Sequence, residues 1–197
     1  MISTRRIIIP VWTITFITVS ILCFVFQQVS GLWVYLAFFP AYVERFPWMF
    51  VTSIFLHVSI QHLVFNMIAL YFFGSSLERI VGGKIYVLLF FLSGIVGNFV
   101  YMITAFNPRI PALGASGAIY GITGSLAVLA PFMMVFVYGI LPVPMVAATF
   151  LWALTDFLGL FAPSGVAHGA HLGGMLVGVA FGIYIRLRMK WLTRFIR

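Results

Sequence analysis

Runs of apolar residues of membrane length, each closed by a proline, a glycine or a charge, constrain this chain more than any other feature. The first, "IIIPVWTITFITVSILCFVF", follows Arg5 and Arg6. It is longer than a signal-peptide core and no small-x-small cleavage pattern follows, so it reads as a helix and not as a leader. An apolar run of about 20 residues crosses a bilayer as a helix, because only internal hydrogen bonds can satisfy its backbone there. Later runs predict a second helix over about Met49–Phe73, a third over about Lys84–Ala105 and a fourth over about Ala115–Ala130. A fifth begins at Pro142 and Pro144 and ends near Leu160, and a sixth covers about Val166–Ile185. Between the first two, "GLWVYLAFFPAYVERFPW" reads as an interfacial loop with amphipathic pieces. "FMMVFVYGI" is too short to span alone and either extends the fourth helix or lies against the bundle.

The charged fraction of 7% against 63% hydrophobic residues is far from the roughly 25% charge of a soluble domain, and predicts an all-α integral membrane protein. A chain of 197 residues holds six such spans and little else, so residues 1–197 are expected to form a single domain whose function sits in the helices or their connections. The net charge of +8 does not imply nucleic acid: five of the eleven basic residues lie in the tail "RLRMKWLTRFIR", where they alternate with apolar residues and suit an anionic lipid surface. The single cysteine, Cys23, excludes an internal disulfide and thiolate-cluster metal sites. With both termini in the cytoplasm, Arg5, Arg6, Arg79, Lys84 and the five tail residues lie inside, and only Arg45 and Arg109 outside. The second, fourth and sixth helices then enter from the outer face.

A polar side chain at membrane depth costs a few kcal/mol unless partnered, so each is a candidate functional group. His57, His62 and Asn66 fall on the second helix, Ser116 opens the fourth, and His168 and His171 open the sixth, all in outer halves of even-numbered helices. His62 and Asn66 share a helical face, as do His168 and His171, whereas His57 points elsewhere. Gly117 and Gly121, with Gly174, Gly178 and Gly182, predict close packing of the fourth and sixth helices, which would bring Ser116 and His171 within reach. The helix end at Ser116 supplies free N–H groups of the kind an oxyanion needs.

Taken singly, Ser116 is better explained by packing, and His57 by a hydrogen bond to a neighbouring carbonyl. The soluble Gly-x-Ser-x-Gly elbow is a poor comparison, because it needs a preceding strand. A metal held by His62, His168 and His171 is the chemical rival, but lacks carboxylates at that depth: Glu44 and Glu78 are expected in loops and Asp156 near the outer end of the fifth helix. A bis-histidine haem would want histidines deeper in two facing helices. "GSSLERIVGG" reads as an inner connection in which Glu78 and Arg79 cap or pair.

Together these residues resemble the rhomboid intramembrane serine proteases in their six-helix form. The resemblance rests on "HVSIQHLVFN", "GSSLER", "GASG" and "AHLGG" in order, and covers nearly the whole chain after the first helix. It implies a Ser116/His171 dyad, an oxyanion site made by His62, Asn66 and the Ser116 backbone N–H, and Gly114, Gly117, Tyr120 and His168 as neighbours, with Tyr120 stacked on His171. It implies hydrolysis of transmembrane segments of other proteins, which enter from the lipid bilayer by the first loop or the fifth helix, without metal, cofactor or nucleic acid. The expected place is a prokaryotic cell membrane with the active site toward the outer side. Trp48-Met49 stands where a Trp-Arg pair is common, and His168 where Asn often stands. No aspartate is expected to orient His171, whose ring would be held by Tyr120 and adjacent polar groups. The other class of reading is a non-catalytic, pseudoprotease-like binding protein or a histidine-relay transporter.

Overall fold

A computed structural model describes residues 9–137, 140–162 and 164–195, with the backbone alone at 137 and 189–195. Arg5, Arg6 and Arg197, used above to orient the chain, lie outside the described residues, as do the side chains of Lys190 and Arg194. Six apolar helices form the bundle. The first is α1 (Val11–Ser30); the second joins α3 (Ile60–Ala69), a π turn (Leu70–Gly74) and α4 (Ser75–Val81) into one span, Ile60–Val81. Then come α5 (Gly83–Thr104), α6 (Ser116–Leu129), α7 (Met145–Gly159) and α8 (His168–Phe195). Four of the six are long and apolar enough to cross a membrane, and α6 and α7 are shorter apolar helices. Large side chains such as Leu22, Phe65, Leu88, Phe150 and Leu176 point outward, the inverse of a water-soluble surface. The molecule is an all-α membrane bundle.

Three expectations need correction. The second helix does not begin at Met49: a single turn, α2 (Met49–Thr52), and a 3-10 turn (Ser53–Phe55) end in extended backbone at Leu56, and α3 starts afresh after Ser59. Ser59 caps it, its Oγ accepting from the His62 N–H at 3.1 Å. At its other end the span runs on past Phe73 to Val81, so Glu78 lies on a helix and not in a loop. "FMMVFVYGI" does not extend the fourth helix: Met134–Val137 pairs antiparallel with Leu141–Pro144, Met134 opposite Pro144 and Val137 opposite Leu141, while Met133 and Val135 pack against the core of the bundle. Pro142 and Pro144 thus stand in this ribbon, where a two-stranded edge tolerates their missing N–H groups, and α7 begins only at Met145.

The first helix is tied to the rest by polar contacts near both of its ends. Its N-terminus has no side-chain cap of its own. Glu78, only 3% exposed, reaches across from α4: one carboxylate oxygen accepts from the Trp12 N–H (3.0 Å), the other from the Thr13 N–H (2.9 Å) and hydroxyl (2.8 Å). An anion on a helix N-terminus satisfies orphan donors and complements the helix dipole. Near the other end, Gln27 clasps the loop before α3: its Oε1 accepts from the His57 N–H (3.0 Å) and its Nε2 donates to the His57 carbonyl (3.1 Å). The loop after α1 is held by Trp48, whose indole N–H donates to the Tyr35 carbonyl (2.9 Å). Met49 beside it packs with Phe38, Val43 and Ala112, an apolar anchor for the loop.

The closest approach is between α6 and α8. A Cβ on Gly174 would overlap the carbonyl oxygen of Gly117, and one on Gly178 that of Gly121. The Ser125 hydroxyl donates to the Gly178 carbonyl at 2.9 Å, adding a polar tie at the same seam. The other face of α8 lies as close to α5, where a Cβ on Gly97 would stand 2.6 Å from the Ala170 carbonyl oxygen. The expected close packing of the fourth and sixth helices is therefore present, with backbone against backbone.

Replacing Glu78 by Ala is expected to cost about 1.5–3 kcal/mol, the range for hydrogen bonds to a charged group. The check is thermal unfolding in detergent followed by circular dichroism, in which Glu78→Ala melts below the parent and Glu44→Ala, in the exposed loop, does not.

Candidate active site

The polar residues singled out in the sequence, His57 in the loop before α3 excepted, each sit in an early turn of a helix that runs the same way, and so lie toward one end of the bundle. Ser116 is the first residue of α6, His168 and His171 occupy the first turn of α8, and His62 and Asn66 the first two turns of α3. The connection before Ser116 is pinned on both sides: Phe38 and Ala112 exchange backbone hydrogen bonds (3.1 and 2.9 Å), and the Gly114 N–H donates to the Ser53 carbonyl (2.9 Å). Gly114 has φ 129°, and a Cβ there would lie 2.7 Å from Cε1 of His62. Only glycine suits both the conformation and the contact.

The tight seam between α6 and α8 brings Ser116 Oγ to 2.9 Å from Nε2 of His171. Tyr120, one turn further along α6, stacks on that imidazole with ring centroids 4.2 Å apart and 12° between planes. The expectation that no aspartate would orient His171 is overturned. Asp156 Oδ1, near the end of α7, is 2.9 Å from Nδ1 of His171 and 2.6 Å from Nδ1 of His168. Nε2 of His168 is in turn 2.6 Å from Ser164 Oγ. A polar chain thus runs Ser164–His168–Asp156–His171–Ser116, its three ionisable side chains only 16, 6 and 13% exposed in that order.

Asp156 placed on His171 Nδ1 requires that nitrogen to carry the proton, which leaves the Nε2 lone pair facing the serine hydroxyl. That is the tautomer a general base needs. Asp156 is the only aspartate in the chain. The same rule that singled out the histidines, an ionisable side chain on an apolar helix, applies to it as well.

A cavity of about 540 Å³ opens over this chain, lined among others by His62, Asn66, Ser116, Ser164, His168 and His171. Asn66 is nearly buried; one amide N–H donates to the His62 carbonyl (2.9 Å), and the amide has a second N–H to offer. Neither Gly117 nor Tyr120 stands apart from the site: a Cβ on Gly117 would lie 3.3 Å from the Ala170 carbonyl oxygen, one residue before His171. His57 is fully buried 5.2 Å from the His62 ring, and neither of its ring nitrogens has a hydrogen-bond partner. Its backbone is held by Gln27. The rival metal set is also changed: His168 and His171 are joined by Asp156 instead of His62.

Replacing Gly114 by Ala is expected to displace the His62 ring, through the forced φ and the 2.7 Å contact. Backbone strain of this kind costs about 1–3 kcal/mol, to be read as a lower melting temperature in detergent, whereas Gly165→Ala, at an exposed position with φ 73°, meets no neighbouring atom and leaves the His62 ring in place.

Residues 44–188 match the family model described as Rhomboid domain. The chain is 33% identical over 147 residues to Rhomboid protein 1, mitochondrial, of Saccharomyces cerevisiae, covering 68% of this chain and 40% of that protein. It is 32% identical over 136 residues to Rhomboid protease GluP of Bacillus subtilis (66% and 24%), and 33% over 162 residues to Rhomboid-like protease 3 of Toxoplasma gondii (82% and 60%). The aligned regions thus span from 24% to 60% of the length of these curated relatives.

Proposed function

The chain belongs to the Rhomboid family of membrane proteins, and on that premise we propose that it is an intramembrane serine endopeptidase acting on transmembrane segments of other proteins. The observation that carries the reading is the 2.9 Å approach of Ser116 Oγ to His171 Nε2 beside a cavity at the amino end of α6. The names of the Bacillus and Toxoplasma relatives call those proteins proteases, which supports it. The match begins after α1, yet Glu78 and Gln27 bind α1 to the rest, which supports reading residues 1–197 as one protease domain.

In this reading His171 takes the Ser116 proton at Nε2 while the oxygen attacks a peptide carbonyl. The tetrahedral oxyanion is met by the Ser116 backbone N–H, one of the unpaired donors of the α6 amino terminus, together with His62 and Asn66. His171 then gives its proton to the leaving amine; water, activated by the same nitrogen, attacks the acyl-serine and releases the new carboxylate. Asp156 positions the imidazole and stabilises its protonated form, so the catalytic group is a Ser116–His171 pair supported by a carboxylate, a relay closer to the soluble triad than an unsupported dyad. Gly114 and Gly117 let the backbones close around it, and Tyr120 holds the ring plane.

Charge supports placing the site on the outer side. Arg79, Lys84, Arg186 and Arg188 lie at the opposite ends of their helices, whereas Arg109 lies between α5 and α6, near the site. The relatives include mitochondrial and bacterial proteins, so kinship does not select a prokaryotic cell membrane. A substrate segment arriving through lipid beside α7 or the first loop must unwind to expose a peptide bond, which favours helices weakened by Gly or Pro.

A serine-directed fluorophosphonate is expected to label Ser116 of the purified protein in detergent and to fail on Ser116→Ala and His171→Ala. Absence of label on folded parent protein would leave a non-catalytic binding protein as the better reading. Asp156→Asn is expected to lower kcat by up to about 10⁴-fold with KM and melting temperature nearly unchanged. His62→Ala and Asn66→Ala should each lose about 2.7–4 kcal/mol of transition-state stabilisation, seen as a fall in kcat for a quenched transmembrane peptide.

A further inference from the structure

We propose that Asp156, His168 and His171 form a site for a borderline divalent transition-metal ion of the zinc class, and that the ion, once bound, holds the protease off. The first half stands on the cluster itself; the second rests on the proteolytic reading above.

One oxygen of Asp156 and one nitrogen from each imidazole lie within 4.8 Å of one another. Two nitrogens and a carboxylate oxygen are a common three-ligand set for zinc, which binds them at about 2.0–2.2 Å. Tetrahedral ligands at that bond length stand about 3.3 Å apart, so the 2.6 and 2.9 Å pairs here must open by about 0.7 and about 0.4 Å. His168 and His171 both line the cavity, and water from it is taken as the fourth ligand.

The far side of each imidazole makes the stronger case. A histidine that binds metal through one nitrogen ordinarily donates its other N–H to a fixed acceptor, which sets ring orientation and tautomer. Both acceptors are in place: Ser164 Oγ at 2.6 Å from Nε2 of His168, and Ser116 Oγ at 2.9 Å from Nε2 of His171. The two rings are thus held from behind while both Nδ1 atoms converge on one carboxylate oxygen.

Metal and proton compete for the same nitrogen. Without metal, Nδ1 of His171 carries a proton donated to Asp156, and Nε2 is free to accept the serine proton. With metal on Nδ1, that proton leaves and the neutral ring carries its hydrogen on Nε2, where it donates to Ser116 Oγ. The serine then faces a donor and has no base. Nothing is oxidised or transferred; the ion exchanges with a proton shift between the two nitrogens and inhibition is reversible.

The test begins on the parent protein in detergent without any peptide substrate, so that binding is read apart from proteolysis while both serine acceptors stay in place. Cobalt(II) is titrated in and its visible absorption followed, then displaced by zinc. The proposal expects one equivalent of tetrahedral cobalt. Binding should weaken by at least about 10-fold in His168→Asn, which keeps an N–H for Asp156 but offers no imidazole, and by about 10–100-fold in Ser164→Ala, which removes only the outer acceptor. Melting temperatures certify that each variant is folded. No tetrahedral band, or binding unchanged in both variants, overturns the site. In the second arm zinc should inhibit cleavage of a transmembrane peptide, EDTA should restore it, and the half-inhibiting zinc concentration should rise at least about 10-fold in His168→Asn relative to that variant's own metal-free rate. Inhibition equal in the two proteins overturns the switch. Cobalt binding by a protein that cleaves nothing keeps the metal site and removes the proteolytic reading and the switch with it.

Discussion

Backbone contact between α6 and α8 is the constraint on which the rest of this structure depends. Within a membrane, apolar side chains gain nothing by leaving lipid for one another, so helices hold together by close packing and a few polar ties. Here Gly117 and Gly121 meet Gly174 and Gly178 with no room for a Cβ, and Ser125 binds the Gly178 carbonyl. The seam does more than join two helices. It determines how far apart Ser116 and His171 stand, because each lies within one turn of a glycine in the contact.

The ends of the helices supply the chemistry. Ser116, His62, Asn66, His168 and His171 all occupy the first two turns of their helices, at the end of the bundle where the cavity opens. Asp156 meets them from the carboxyl end of α7, which runs the other way. The opposite ends are used for anchorage: Glu78 caps α1 from a neighbouring helix, a buried carboxylate with all its obvious donors satisfied. A carboxylate therefore holds a helix end at one end of the bundle and two imidazoles at the other, according to what each one meets.

Much of this was legible from residue order. The apolar runs located all six bundle helices, and the rarity of polar groups in them marked Ser116, His171, His62 and Asn66. Asp156 is visible to the same rule, but its place along α7 does not tell which neighbour it faces; only the packing of α7 against α8 puts its carboxylate on the histidines. The ribbon from Met134 to Pro144 was hidden for another reason, since a short apolar run carries no period long enough to tell strand from helix. The break at Leu56–Ser59 was masked by continuous hydropathy on both sides of it, and with it the reason His57 turns inward.

Composition and order alone determined that this chain is a helical membrane protein and which polar residues it must accommodate, because burial in lipid makes every such residue costly wherever it falls. Only the tertiary structure decided which of them meet. A hydrogen bond forms over about 3 Å, and whether Nδ1 of His171 finds Asp156, or a helix N-terminus finds Glu78, turns on the register of helices that are distant in sequence.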